Sequence, residues 1–123
     1  MEFRFVEYID EYEDNRVEIS FVNFDFEDGN DLIARILKKK CCMIVGKKFD
    51  GIWFSIIPLW YKGHKYELLF HEDIGNIIYG KSQKGKSVER MRELAEIATR
   101  ELNILYKENN GCENDKNREF LKV

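Results

Sequence analysis

The sequence predicts an α+β domain in which a mainly antiparallel sheet carries two helices on one face. Short strand-like segments follow one another and are joined by tight turn sequences, a pattern that favours antiparallel pairing. Aromatic residues make up 14% of the chain, and such side chains favour the half-buried positions of a pleated sheet. Two further segments repeat apolar residues at the spacing of amphipathic helices. The predicted order of elements is ββαββββα.

The N-terminal part of the chain predicts two strands and a short helix. The strands cover residues 3–12 and 16–26, and a turn-rich stretch at residues 13–15 joins them. The alternation of apolar residues slips by one position near Phe21, which predicts a bulge or a twist there. A helix follows over about residues 28–40, where turn residues precede an apolar stripe and three lysines end the segment.

The middle of the chain predicts a four-stranded meander. Its strands are expected at residues 41–49, 52–61, 65–71 and 76–79. Asp50-Gly51 and Lys62-Gly63 supply the first two tight turns. Pro58 has no N–H to give to a sheet ladder, so its strand is predicted to be an edge there or to bend there.

The last large element is a predicted helix over about residues 87–108, with Ser87 as its N-cap. A length of 123 residues fits one domain, which we predict to span residues 1–111. Residues 112–123 are mostly polar and are predicted to form a flexible tail.

Composition favours a cytoplasmic protein. No stretch reaches the roughly 18 consecutive apolar residues of a membrane helix, and residues 1–5 lack the basic-then-apolar pattern of a signal peptide. The spacing of Cys41, Cys42 and Cys112 matches neither a zinc site nor a CxxC redox pair. Cys41 and Cys42 are adjacent in a predicted strand, so their side chains are expected on opposite faces. We expect all three thiols to be reduced.

Charge is distributed unevenly along the chain. Residues 1–31 contain eleven acidic and two basic residues, a net charge of −9, whereas residues 32–123 contain twelve acidic and eighteen basic residues, a net charge of +6. The densest acidic cluster surrounds the first hairpin turn, and we call it the acidic tip: Asp10, Glu11, Glu13 and Asp14. Clustered carboxylates repel one another, but they speed association with a basic surface.

The acidic tip therefore predicts a protein partner of opposite charge; the tip would, for example, cover the phosphate-binding groove of a nuclease. The alternative is that the tip faces the basic half of the same domain, or that it only keeps the domain soluble.

In size, in its acidic hairpin and in its aromatic meander over residues 52–57 and 66–73, the chain resembles the small immunity proteins of bacterial toxin–immunity pairs, including those of contact-dependent growth inhibition. Those proteins are typically single α+β or β-rich domains that bind and block a cognate toxin. The resemblance implies a class of function, a non-enzymatic protein-binding domain, and it implies no particular binding residue.

Residues 80–87 match the phosphate-loop pattern G-x-x-x-x-G-K-[ST] between an apolar run and the long helix. The alternative prediction is therefore a nucleotide- or phosphate-binding protein that uses Gly80, Gly85, Lys86 and Ser87. Lys86 would reach the β- and γ-phosphates, and Ser87 would bind Mg²⁺. Phosphate-loop hydrolases need a parallel sheet of βαβ units, however, and no strand is predicted after this helix. The other reading is a solvated connecting loop.

A third prediction, a nucleic-acid-binding surface, rests on aromatic residues interleaved with lysines in the meander. The residues concerned are Trp53, Trp60, Tyr61, Tyr66, Lys47, Lys48, Lys62 and Lys65. Aromatic rings stack on bases and lysines hold phosphates, although the acidic tip would repel the same polymer.

The two histidines suggest two further alternatives, a metal site or a histidine that acts as a catalytic base. His71 is followed by Glu72 and Asp73, and His64 lies nearby across a predicted hairpin. Three adjacent residues of a strand cannot converge on one ion. We predict no metal, no cofactor and no catalytic residue.

Overall fold

The computed structural model describes residues 2–110, and within this range the chain forms seven strands and two helices. In chain order they are β1 (Arg4–Asp10), β2 (Arg16–Val22), α1 (Gly29–Cys41), β3 (Ile44–Val45), β4 (Phe49–Asp50), β5 (Phe54–Tyr61), β6 (His64–His71), β7 (Gly75–Gly80) and α2 (Ser87–Asn110). The predicted α+β class is confirmed, including the short first helix and the long C-terminal one. There is one strand more than predicted.

The strands join one sheet in the order β1-β2-β7-β6-β5-β3, and β4 also pairs with β5. Each neighbouring pair is antiparallel. α1 contacts β5 and β6, α2 contacts β1, β2 and β7, and the two helices contact each other. Both helices therefore lie on one face of the sheet, which we call the covered face; the opposite face is the open face.

The core lies between the covered face and the helices. Ile19, Ile78 and Leu68 stand side by side in β2, β7 and β6, and all three are fully buried. Leu37 of α1 and Leu94 of α2 are fully buried as well. A buried aliphatic side chain contributes about 1.5–3 kcal/mol, so this interface fixes the central strands and, through β2, the first hairpin.

The predicted strand over residues 41–49 is wrong in part. α1 continues through Cys41, and Cys42 ends it with a left-handed φ of 52°. The two cysteines therefore lie at a helix end and not in a strand; both are free thiols. What remains forms β3 and β4, which pair with opposite halves of β5.

Pro58 falls in the break between β3 and β4. Both short strands pair with β5, but neither ladder includes Pro58, whose carbonyl oxygen accepts a hydrogen bond from the N–H of Gly46 at 2.8 Å. The missing N–H of proline explains why one continuous strand does not form along this side of β5.

The first hairpin has no bulge. β1 and β2 pair without interruption from Arg4 opposite Val22 to Asp10 opposite Arg16. The slip in the apolar pattern arises instead at Asn23, whose left-handed φ of 67° ends β2. The expected bulge near Phe21 is therefore absent, the twist expected there as its alternative stays a prediction, and the second strand is shorter than predicted.

Among residues 2–110 no helix is long and apolar enough to cross a membrane. The predicted tail over residues 112–123 and Cys112 lie outside the described residues, so the domain boundary at residue 111 stays a prediction.

Candidate partner-binding site at the hairpin tip

Local sequence fixes the conformation of the acidic tip. The carboxylate of Asp10 accepts a hydrogen bond from the N–H of Tyr12 at 3.0 Å and so caps a single 3₁₀ turn over Glu11–Glu13. Asp14 and Asn15 follow with φ values of 56° and 57°, and these left-handed residues return the chain to β2. Asp and Asn adopt this conformation more readily than most residues do, so the tip has a defined shape.

The carboxylates of the acidic tip have little compensation. Glu11, Glu13 and Asp14 are exposed and Asp10 is half-buried. Glu13 lies 4.0 Å from a guanidinium nitrogen of Arg16, the limit of an ion pair. Within residues 2–110 the other three carboxylates form no ion pair.

Other acidic residues of the N-terminal segment do pair with the basic half of the chain. Glu7 contacts Arg92 of α2 at 2.6 Å, and Asp31 contacts Lys48 at 2.7 Å. The basic half therefore neutralises part of the acidic segment but does not reach its tip.

Exposed apolar side chains accompany these charges. Tyr12, at the apex of the turn, is 99% exposed, and Ile9 and Ile74 are 60% and 52% exposed. A shallow depression of about 460 Å³ is lined by Tyr8, Ile9, Asp10, Glu11, Tyr12, Glu18 and Ile74. Exposed tyrosine beside apolar side chains is typical of the energetic centre of a protein interface.

A buried polar network on the open face supports the base of the tip. The Tyr8 hydroxyl donates to one oxygen of Glu18 at 2.7 Å, and Arg16 donates twice to the other, at 2.6 and 2.9 Å. The guanidinium of Arg16 stacks 3.7 Å from the ring centre of Tyr79. The Tyr79 hydroxyl in turn donates to Glu67 at 2.6 Å.

The environment of this network stabilises the neutral phenols. Burial, and then a hydrogen bond to a carboxylate, raises the pKa of Tyr8 and that of Tyr79 well above the ordinary value of tyrosine. Both phenols therefore remain protonated hydrogen-bond donors at neutral pH. The network ties β1, β2, β7 and β6 together beneath the tip.

Residues 80–87 do not have the surroundings of a phosphate loop. β7, which leads into them, is antiparallel to both of its neighbours. The Ser87 hydroxyl donates to the carbonyl oxygen of Ser82 at 2.6 Å, so it is committed within the loop. Ser87 is also the first residue of α2 rather than its N-cap, because the carbonyl of Lys86 accepts the first helical hydrogen bond, from the N–H of Arg90.

The remaining residues of this alternative are placed as follows. Lys86 is exposed, Gly85 has a φ of 60°, and Gly80 ends β7. A Cβ atom on Gly80 would lie 2.9 Å from the Ser87 hydroxyl and 3.0 Å from the carbonyl oxygen of Ser82, so close packing is sufficient reason for a glycine there. Phosphate binding at this loop stays a prediction.

The aromatic meander does not form one surface. Tyr61 and Tyr66 point into the core. Trp60 and Trp53 are partly exposed, but Trp60 lies near the C-terminal end of β5 and Trp53 directly precedes its N-terminal end. Trp53 also lines a depression that contains one lysine, Lys48, and four carboxylates: those of Glu27, Asp28, Asp50 and Glu72. This arrangement disfavours a nucleic-acid backbone at Trp53.

The histidines lie at the two ends of β6. The Nδ1 atom of His71 accepts a hydrogen bond from the N–H of Asp73 at 3.0 Å, which makes it part of the turn into β7. In the part of the chain that the structure describes, no three His, Cys, Asp or Glu side chains are arranged to hold a metal ion.

The sequence indicates the acidic residues of the tip, but it predicts no role for Tyr12, Ile9 or Ile74. The sequence predicts Tyr12 as the last residue of the first strand, whereas the structure places it in the turn, so its exposure follows only from the structure. Comparisons with protein-family models, with curated proteins and with solved structures found no match.

Proposed function

We propose that this protein is a non-enzymatic protein-binding domain whose acidic tip captures a basic protein partner, in the manner of an immunity protein that blocks a toxin. One observation supports this proposal above the others. Carboxylates with little or no counter-charge surround a fully exposed tyrosine at the apex of a hairpin turn that the Asp10 carboxylate caps.

The charges and the aromatic side chain have different roles in this proposal. Uncompensated carboxylates attract a basic surface over a distance of about a Debye length, about 8 Å at physiological salt, and so speed association. Tyr12 supplies apolar contact area and a hydroxyl at the centre of the contact, which slows dissociation. The fixed turn lowers the entropy lost on binding.

Blocking would be steric and electrostatic. A basic groove that holds phosphate groups in the partner would be occupied by the tip and closed to its substrate. We further propose a cytoplasmic location, in keeping with the free thiols of Cys41 and Cys42.

The test is capture of the partner from the native cells with a tagged protein, followed by kinetics with the purified partner. Reversal of all four acidic-tip charges to lysine should lower the association rate constant by about 10- to 100-fold and remove its dependence on salt. Tyr12→Ala should leave association nearly unchanged and raise the dissociation rate constant about tenfold or more.

A matched control carries the same change in net charge at exposed carboxylates outside the tip: Glu27, Glu72, Glu89 and Glu96. This control should associate at least half as fast as the unmodified protein at physiological salt. Equal loss of association in the two four-charge variants would show that only net charge matters. Unchanged association in the tip variant would refute the proposal.

A further inference from the structure

β1 is a long free edge of the sheet. It is seven residues long and pairs without a break on its inner side with β2. The opposite edge consists of β3 and β4, which have two residues each. Lys47 and Lys48 lie in the break between these two strands. Interrupted, lysine-bearing edges resist pairing with other strands. β1 lacks such an interruption.

The side chain of Asn103 identifies which backbone groups of β1 point outward. Its Oδ1 atom accepts the N–H of Phe3 at 2.7 Å, and its Nδ2 atom donates to the carbonyl of Phe3 at 2.9 Å. Because backbone groups alternate in direction along a strand, those of Phe5, Glu7 and Ile9 point outward as well. No described residue pairs with them, since β1 is the end of the sheet.

We propose that two copies of this chain pair through β1 about a two-fold axis at Glu7, which joins their sheets into one. In this register Phe5 lies opposite Ile9 of the second copy, and Glu7 lies opposite Glu7. The outward N–H and C=O groups of all three residues are then satisfied, two hydrogen bonds for each pair.

The side chains of β1 are complementary in the same register. Arg4 lies opposite Asp10 of the second copy, and this pair occurs twice. Neither Arg4 nor Asp10 forms an ion pair within residues 2–110, and opposite charges across an antiparallel pair are stabilising. Val6, which is 46% exposed, lies opposite Tyr8 of the second copy.

Other registers are less favourable. A shift of two residues in one direction requires Phe3 to pair with Ile9, but Asn103 already occupies the backbone of Phe3. The opposite shift places Val6 against the carboxylate of Asp10. Each shift also separates Arg4 from Asp10, so the register centred on Glu7 is preferred.

The two Glu7 side chains that meet at the axis each bring their own counter-charge. Each carboxylate accepts hydrogen bonds from two nitrogens of Arg92, at 2.6 and 2.9 Å. This pairing lowers the pKa of Glu7 and keeps the carboxylate ionised and paired. Two Glu7 carboxylates and two Arg92 guanidinium groups thus lie near the axis.

Dimer formation leaves most of the acidic tip free. The residues that lie beyond the paired strands are Glu11, Tyr12, Glu13 and Asp14.

Sedimentation equilibrium of the purified protein between about 10 µM and 1 mM tests the pairing, without any partner. Arg4→Asp and Asp10→Arg should each weaken the dimer about tenfold or more, because each places like charges opposite one another twice. The double variant, Arg4→Asp with Asp10→Arg, should restore the affinity of the unmodified protein. Recovery of the dimer affinity in the double variant is expected only if position 4 of one copy contacts position 10 of the other.

A second pair of variants tests the backbone. Glu7→Pro removes an outward N–H that β2 does not use and should abolish the dimer, whereas Glu7→Ala keeps this N–H and should still dimerise. Circular dichroism checks that both variants fold. A monomer at all concentrations would overturn the proposal, as would a dimer that Glu7→Pro leaves intact or a double variant without restoration.

Discussion

At the residue scale, Glu18 is the most consequential buried charge beneath the acidic tip. It is only 2% exposed, and Tyr8 and Arg16 satisfy its two oxygens. A buried carboxylate without partners costs several kcal/mol. The open face can hold this charge only because the side chains of Tyr8, Arg16 and Tyr79 surround it. Rigidity at the tip therefore depends on polar contacts as well as on the core.

The tyrosines of this network make stability sensitive to alkaline pH. The pKa values of Tyr8 and Tyr79 are raised in the folded protein above the unfolded value of about 10. The folded state therefore keeps these protons longer than the unfolded state does. The free energy of unfolding should be constant with respect to these groups below about pH 10 and should fall as pH rises further.

Urea unfolding at intervals from pH 8 to pH 11.5 measures this alkaline loss. A Tyr8→Phe, Tyr79→Phe double variant should lose less stability across the range, because its rings cannot ionise. If the free energy of unfolding fell equally steeply with pH in both proteins, ionisable groups other than Tyr8 and Tyr79 would cause the loss, and the prediction would be contradicted.

At the element scale, the start of α2 distinguishes a structural loop from a phosphate loop. Ser87→Ala removes the hydrogen bond to the carbonyl of Ser82 and should lower the free energy of unfolding by about 1–2 kcal/mol. Lys86→Ala should change it by less than about 0.5 kcal/mol, because Lys86 is exposed. Thermal unfolding with and without Mg²⁺-nucleotide should show no shift in any of the three proteins. A shift that Lys86→Ala removes would establish the phosphate site.

Elements with a strong period were predictable, and elements defined by a single residue were not. α2 repeats apolar residues from Val88 to Leu105, and the β5–β6 hairpin has an unambiguous turn at Lys62-Gly63. The prediction of a strand over residues 41–49 was wrong because the end of α1 depends on Cys42. Cysteine has no strong preference for the left-handed conformation that Cys42 adopts. β3 and β4, at two residues each, are too short for any pattern.

The candidate site was predictable only in its composition. Four acids in one turn are visible in the sequence, whereas the contact of Glu7 with Arg92 spans 85 positions and depends on the packing of α2. The small number of counter-charges around the tip carboxylates likewise depends on tertiary packing. Whether a charge has a partner is a tertiary property, so local sequence gave the charges but not their neighbours.

At the scale of the whole molecule, the sheet should be most stable at its centre and least stable at β1. All residues of β7 are buried, and its ladders join it to β2 and β6. We expect the amides of Ile77 and Ile78 to be among the slowest to exchange with deuterium. The outward amides of Phe5, Glu7 and Ile9 should exchange fast in dilute protein.

Amide exchange followed by NMR at two protein concentrations measures both expectations. At high concentration the three outward amides of β1 should slow down, and those of β7 should not change. Fast exchange throughout β7 would contradict the strand order of the sheet.

The pairing of β2 with β7 also has a consequence during synthesis. Residues 23–74 separate these strands, so a ribosome releases the first hairpin well before β7 emerges. Until then β2 has a second unpaired edge, and the nascent hairpin could join the hairpins of neighbouring chains. The net charge of −9 over residues 1–31 opposes such encounters between identical segments. We therefore expect the carboxylates of this segment to lower the tendency of nascent chains to aggregate before the domain is complete.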